Sequence, residues 1–120
     1  MPPKIWTLFS FLWLSLLLYL SFYKPSANPS PPFFLHQDKV GHFVFYGLLF
    51  FLLAQSFRLH LVWVSSKLYA LLWALFLGVL IEYLQGALTD YRVSDWKDVL
   101  ANSSGVLFFY LGYSRIFKIT

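Results

Sequence analysis

The sequence predicts an all-α membrane protein with four transmembrane helices in an antiparallel bundle, and three observations predict it. Of 120 residues, 59% are hydrophobic and only 12% charged, about half the charge a soluble domain of roughly 25% carries to cover itself. The apolar residues come in blocks long enough to cross hydrocarbon, not in the alternating faces of a water-soluble core, and the mean hydropathy is +0.65. The nine Lys and Arg residues stand singly between those blocks, where they read as membrane-flanking anchors.

Ile5 to Tyr23 is almost uninterrupted apolar and aromatic sequence. As a helix it would be about 28 Å long, matching a hydrocarbon core of about 30 Å. Lys4 before the run and Ser26-Ala27 after it are signal-peptide-like flanks. The run is longer than the roughly 7–15 residues of such a segment, and more blocks follow, so it reads as a retained anchor.

Lys24 to Pro32 holds Pro25, Pro29, Pro31 and Pro32 with Ser and Asn between them, a composition for an extended connection outside the bilayer. Helix resumes near Gln37 or Asp38, and the second span covers Val40 to Phe57, closed by Arg58. Arg58 to Lys67 is short and half apolar; it reads as a tight interfacial hairpin with Trp63 at headgroup depth. The third span runs from Lys67 to Leu88 around Glu82. The fourth runs from Val99 to Phe117, with Asn102-Ser103-Ser104-Gly105 in its first turns and Arg115 and Lys118 at its end. Residues 1–120 form a single domain.

A cytoplasmic N-terminus puts Lys4, Arg58, Lys67, Arg115 and Lys118 inside and Lys24, Lys39, Arg92 and Lys97 outside. That bias places both termini in the cytoplasm. Asp38, Asp90, Asp95 and Asp98 then all lie on the outer side, and nearly all polar chemistry falls at one end of the bundle.

Three polar stripes meet at that outer mouth. Asp38, His42 and Tyr46 are spaced by four along one face of the second span, with Lys39 beside them. Glu82, Gln85 and Thr89 lie at offsets 0, 3 and 7, and Asp95, Asp98 and Asn102 repeat those offsets before the fourth span. Glu82 should lie about 9 Å below the outer boundary, where a carboxylate costs about 2.5 kcal/mol or more unless neutral, paired or wetted. Ala74, Gly78, Glu82 and Gly86 recur every four residues, and small residues at that spacing mark a closely packed face, so Glu82 faces the bundle interior. Asn102, Gly105 and Gly112 suit the same interior.

Plainer readings stand beside these. Gln85 and Asn102 read equally as interhelical glue, Asp38 as a helix N-cap and Lys39 as an anchor. Arg92 reads as neutralising neighbouring aspartates, and the aromatic excess as lipid-facing bulk. The convergence of nine polar residues from three separated stretches on one mouth favours a site, and Glu82, as an intramembrane acid, is its strongest member.

Asp38-Lys39-Val40-Gly41-His42-Phe43 followed by Tyr46, then Glu82-Tyr83-Leu84-Gln85, then Arg92-Val93-Ser94-Asp95-Trp96-Lys97-Asp98-Val99-Leu100-Ala101-Asn102 and Gly105 together resemble the signature of the VanZ-like family of small bacterial membrane proteins. The resemblance covers about Asp38 to Gly112. It implies a multi-pass protein of the bacterial cytoplasmic membrane. The founding member is associated with low-level resistance to the glycopeptide teicoplanin; the family implies no firm biochemical activity, and no feature of this chain recognises an antibiotic.

Two functions follow from the mouth. In the first, it binds a lipid headgroup, a lipid-linked envelope ligand or a membrane protein partner through Asp38, Lys39, Gln85, Arg92, Asp95 and Asn102. In the second, it is an intramembrane hydrolase or transferase of a lipid or envelope-precursor headgroup. His42, Glu82 and Asp98 are then the catalytic candidates, and Arg92 or Lys39 a phosphate clamp. A transporter would need ionisable groups in the inner halves of the spans, and the sequence has none there. A His with two carboxylates suits a hard divalent cation, but no His-Glu-x-x-His pattern is present and no metal is expected. The absence of cysteine removes disulfides and thiolate chemistry, and no cofactor is expected. Membrane lipids are the expected partners, a homo-oligomer is left open, and the lack of a basic run argues against nucleic acid.

Overall fold

Each apolar block of the sequence is a helix in the computed structural model, which describes residues 3–24, 26–28, 31–58, 61 and 63–117, apart from the side chains of Pro3 and Trp63. The linker prolines Pro25 and Pro29, the anchor Lys118 and the proposed headgroup depth of the Trp63 side chain lie outside what is described. The helices are α1 (Pro3–Phe22), α2 (Gln37–Phe57), α3 (Trp63–Leu88) and α4 (Trp96–Ile116). No strand is present among the described residues.

Helices α1, α2 and α3 are long and apolar enough to cross a membrane. Helix α4 is as long as α2, at 21 residues, but Lys97, Asp98, Asn102, Ser103 and Ser104 in its first half make it less apolar. At 1.5 Å per residue it still reaches about 32 Å. The bundle measures 49 Å along its axis and 25 Å across.

The chain alternates direction. Thr7 of α1 hydrogen-bonds Ser56 of α2, and Trp13 Nε1 donates to the Phe45 carbonyl at 2.9 Å, so these helices are antiparallel. Phe43 of α2 meets Gly105 of α4 and Gly47 meets Phe109, in the same direction along both helices. Helix α2 is central and packs on all three others, most extensively on α4, whereas α1 and α4 do not meet among the described residues. Leu49, Phe50, Ala54, Ala70, Ala74 and Val106 are fully buried between α2, α3 and α4.

Three serine hydroxyls of α1 are satisfied locally. Ser10, Ser15 and Ser21 of α1 each donate to the carbonyl four residues back. Helix α2 is preceded by His36 at the N-cap position, with a left-handed φ of 60°, while Gln37 Oε1 accepts the Phe33 N–H at 2.6 Å. Asp38 therefore lies in the first turn and is not the N-cap. Helix α3 starts at Trp63, four residues earlier than the sequence places it, which shortens the α2–α3 connection.

Helices α2 and α4 approach closely at Gly105: a Cβ there would collide with the Phe43 carbonyl and Cα. Gly112, grouped with Gly105 on sequence spacing, has nothing within 4 Å of such a Cβ and is not part of the contact.

Candidate functional site

The C-terminal ends of α1 and α3 and the N-terminal ends of α2 and α4 form one mouth, as the offsets predict. On α2, the spacing of four keeps His42 and Tyr46 on one face, their rings within 2° of parallel. Lys39 points around the helix toward α4. Its ammonium contacts Asp98, Asp95 at 3.2 Å and Asp38 at 3.1 Å, and one cation thereby serves three carboxylates. It is fully engaged and is not a free phosphate clamp.

Asp95 is held in place because it caps α4. Its Oδ1 accepts the Lys97 N–H at 2.9 Å, satisfying one orphan donor of the first turn, while Oδ2 faces Lys39. The Lys97 N–H and the Lys39 ammonium hold its carboxyl below the ordinary carboxylate range.

His42 bridges the two halves of the mouth. Its Nδ1 lies 2.8 Å from Asn102 Oδ1, a side-chain hydrogen bond between α2 and α4. Nε2 is 3.7 Å from Asp98 Oδ2, beyond hydrogen-bond length. Asn102 is 2% exposed, and its Nδ2 has no hydrogen-bond partner among the described residues.

Glu82 is 3% exposed on α3, as its small-residue face predicts. Its Oε1 accepts the backbone N–H of Asp95 at 2.8 Å. Its own carbonyl accepts the Ser94 hydroxyl at 2.9 Å. The returning chain passes so close to α3 that a Cβ on Gly86 would stand 3.0 Å from the Ser94 nitrogen. Glu82 is thus built into the α3–α4 turn. Thr89 lies just past the end of α3 and donates to the Gln85 carbonyl, so it is not a member of the stripe.

Gln85 and Arg92 turn the other way, to α1. Gln85 Nε2 donates to the Ser21 carbonyl at 2.8 Å, Tyr91 to Phe22 at 2.5 Å, and Arg92 Nη2 to Leu20 and Tyr23 at 3.3 and 3.2 Å. The Leu20, Ser21 and Phe22 carbonyls are in the last turn of α1, where they have no partner within their own helix, and Tyr23 follows directly. Arg92 therefore does not neutralise the aspartates, against the sequence expectation. Among the described residues it has no carboxylate within 4.0 Å, and its Nε is buried without a partner.

Between α1, α2 and α3 lies a half-open cleft of about 190 Å³. Asp38, His42, Gln85 and Arg92 line its polar part, and Leu17, Leu20 and Phe45 its apolar part. Glu82 and Asp98 are not in the lining. The candidate residues thus divide into an ionic cluster against α4 and a cleft against α1, with Asp38 and His42 shared. Among the described residues no three His, Asp or Glu side chains are placed to hold a metal ion.

A second, smaller polar layer, not singled out from the sequence, occupies the opposite end. Tyr113 donates to Gln55 Oε1 at 2.8 Å in a buried pair, and Lys67 donates to Ser114. Ser66 is fully buried. Gln55-Ser56 at the end of an apolar block was the available signal.

The VanZ/LLP1 family model matches residues 5–118, all four helices and the whole mouth. The chain belongs to the VanZ/LLP1 family. No curated protein and no solved structure matches it. With three helices of spanning length and apolarity, this VanZ/LLP1 protein is a multi-pass membrane protein.

Proposed function

We propose that this VanZ/LLP1 protein binds the phosphate-bearing headgroup of a membrane lipid or lipid-linked envelope ligand in the cleft between α1, α2 and α3, at the extracytoplasmic face of the bacterial cytoplasmic membrane. One observation carries the reading: Arg92 lines the cleft as a cation with no carboxylate partner among the described residues. A guanidinium with free donors is the side chain best matched to a phosphate. The cleft joins that cation to apolar walls, as a molecule with a charged head and a hydrocarbon body requires. Its volume is below the roughly 300–1,000 Å³ of drug-sized sites, which suits a headgroup.

The test is native mass spectrometry of protein released from nanodiscs of mixed composition, comparing a phosphatidylglycerol with a diacylglycerol of the same chains. The phosphate-bearing lipid should be retained, and Arg92→Gln should reduce its retention about tenfold, the loss of one charge-assisted hydrogen bond. Equal retention of both lipids would sink the proposal.

A second reading is favoured by the placement of His42. Its Nδ1 pairs with Asn102 and its Nε2 lies 3.7 Å from Asp98 Oδ2, an imidazole beside a carboxylate, the side-chain types that general acid–base chemistry uses. That is the arrangement an intramembrane hydrolase or transferase of the same headgroup would use. Incubation of the purified protein in nanodiscs with candidate lipids, with and without Mg²⁺, Mn²⁺ or Zn²⁺, tests it. Unchanged lipids under every condition would remove it.

A further inference from the structure

The cleft carries two opposite charge excesses on one surface. Around Lys39, Asp38, Asp95 and Asp98 place three carboxylates against one ammonium. Asp38 is the most open of the three, with 68% of its side chain exposed, and it is the one that lines the cleft. Arg92, lining the same cleft, has the reverse problem: a cation with no acid. Lys39 and Arg92 do not exchange partners to cancel both, because Lys39 is turned toward α4 and Arg92 is fixed on the α1 carbonyls. Electrostatic complementarity then calls for a ligand that carries both an anion and a cation.

Gly41 lines the same cleft, three residues after Asp38 on the same helical face. A Cβ at Gly41 would meet nothing within 4 Å, so helix packing gives no reason for glycine at a position where it is about 1 kcal/mol less favourable than alanine. A bare backbone there leaves room for a ligand to lie against α2.

Resting on the phosphate-binding reading above, we propose that the cleft is selective for a zwitterionic phosphate ester carrying a primary amine, such as a phosphoethanolamine group. Arg92 takes the phosphate, Asp38 takes the ammonium, and the chain between them crosses Gly41. A primary ammonium donates three hydrogen bonds, whereas a quaternary one donates none, so the carboxylate of Asp38 distinguishes them.

The experiment is the same nanodisc measurement with phosphatidylethanolamine, phosphatidylcholine and phosphatidylglycerol of identical chains. The amine lipid should be retained about tenfold over each of the others, and Asp38→Asn should erase that preference while leaving phosphate-dependent retention in place. Soluble O-phosphorylethanolamine added as competitor separates two sources: displacement assigns the site to the free headgroup compound, and none assigns it to the intact lipid; either upholds the shared chemistry. Equal retention of the three phospholipids, or a preference that survives Asp38→Asn, overturns the amine assignment and leaves the phosphate reading standing. Gly41→Leu, whose Cβ has open space and whose side chain occupies the cleft, should abolish retention of all three. If it does not, the cleft itself is the wrong place and both readings fall.

Discussion

The Arg92 guanidinium donates to the Tyr23 carbonyl at 3.2 Å and lies over the ring of the same residue, 5.1 Å from its centroid. A cation at a helix C-terminus interacts favourably with the helix dipole, and here it also fastens the peripheral helix to the rest of the bundle. Arg92→Gln should lower stability by about 0.5–2 kcal/mol, and Arg92→Lys, which keeps the charge but not the planar fork, by less. Thermal unfolding in detergent, with proteolysis of the α1–α2 linker as a second readout, measures this. An unchanged melting temperature in Arg92→Gln would show that α1 docks without it.

Glu82 should behave as a structural acceptor at the α3–α4 turn. Glu82→Gln keeps an oxygen for the Asp95 N–H and should be mild. Glu82→Ala leaves that donor buried and unpaired, at a cost of about 1–3 kcal/mol. If the two variants unfold alike but both abolish a lipid-converting activity, Glu82 acts on substrate and not on the turn.

How far the sequence reveals this mouth depends on whether a contact lies within one helix or between helices. The four-residue spacing of Asp38, His42 and Tyr46, and the small-residue row that turns Glu82 inward, are properties of single helices and are legible from spacing. The partners of Arg92 are not, because nothing in a local pattern says that a residue between α3 and α4 reaches the carbonyls of α1, some seventy positions away. Lys39 reads as an anchor for the same reason: two of its three acids, Asp95 and Asp98, are brought to it by the packing of α2 on α4. Gln55 and Tyr113 escaped because neither carries a charge, and each looks in sequence like the edge of an apolar block.

Acidification should weaken the ionic cluster in a definite direction. Asp95 is held below the ordinary carboxylate range by the Lys97 N–H and Lys39. A carboxyl depressed on folding adds stability above its unfolded value, and that contribution disappears as pH falls through the folded one. The melting temperature should therefore be flat near neutrality and fall once the pH drops below the ordinary aspartate value of 3.8. Asp95→Asn, which keeps a capping side chain, should flatten part of that fall. An identical acid limb in wild type and variant would show that Asp95 is not linked to folding.

Helix α4 is fixed to α2 by a backbone contact that no larger residue can share. Gly105→Ala should destabilise by at least the 1–3 kcal/mol typical of overpacking, because the obstruction is the Phe43 main chain and has no rotamer to yield. Gly47→Ala meets only the ring of Phe109, which can turn, and should cost less. Gly112→Ala has open space and should be neutral or stabilising. Chemical or thermal unfolding of the three variants ranks them, and a Gly112 variant as damaging as Gly105 would contradict the helix register.

The far polar layer gives a cleaner energetic test than the mouth, since it rests on a neutral pair. Tyr113 donates to Gln55 Oε1 at 2.8 Å with both side chains buried, and membrane hydrogen bonds of this kind average about 0.6 kcal/mol and reach about 1.7. Tyr113→Phe removes the hydroxyl without changing the ring that packs on Phe50 and Phe51. Gln55→Leu removes the acceptor at similar volume. In a double-mutant cycle the two losses should be less than additive by about 0.6–1.7 kcal/mol. Strict additivity would mean that each group finds other partners when the bundle opens, and that the layer contributes packing alone.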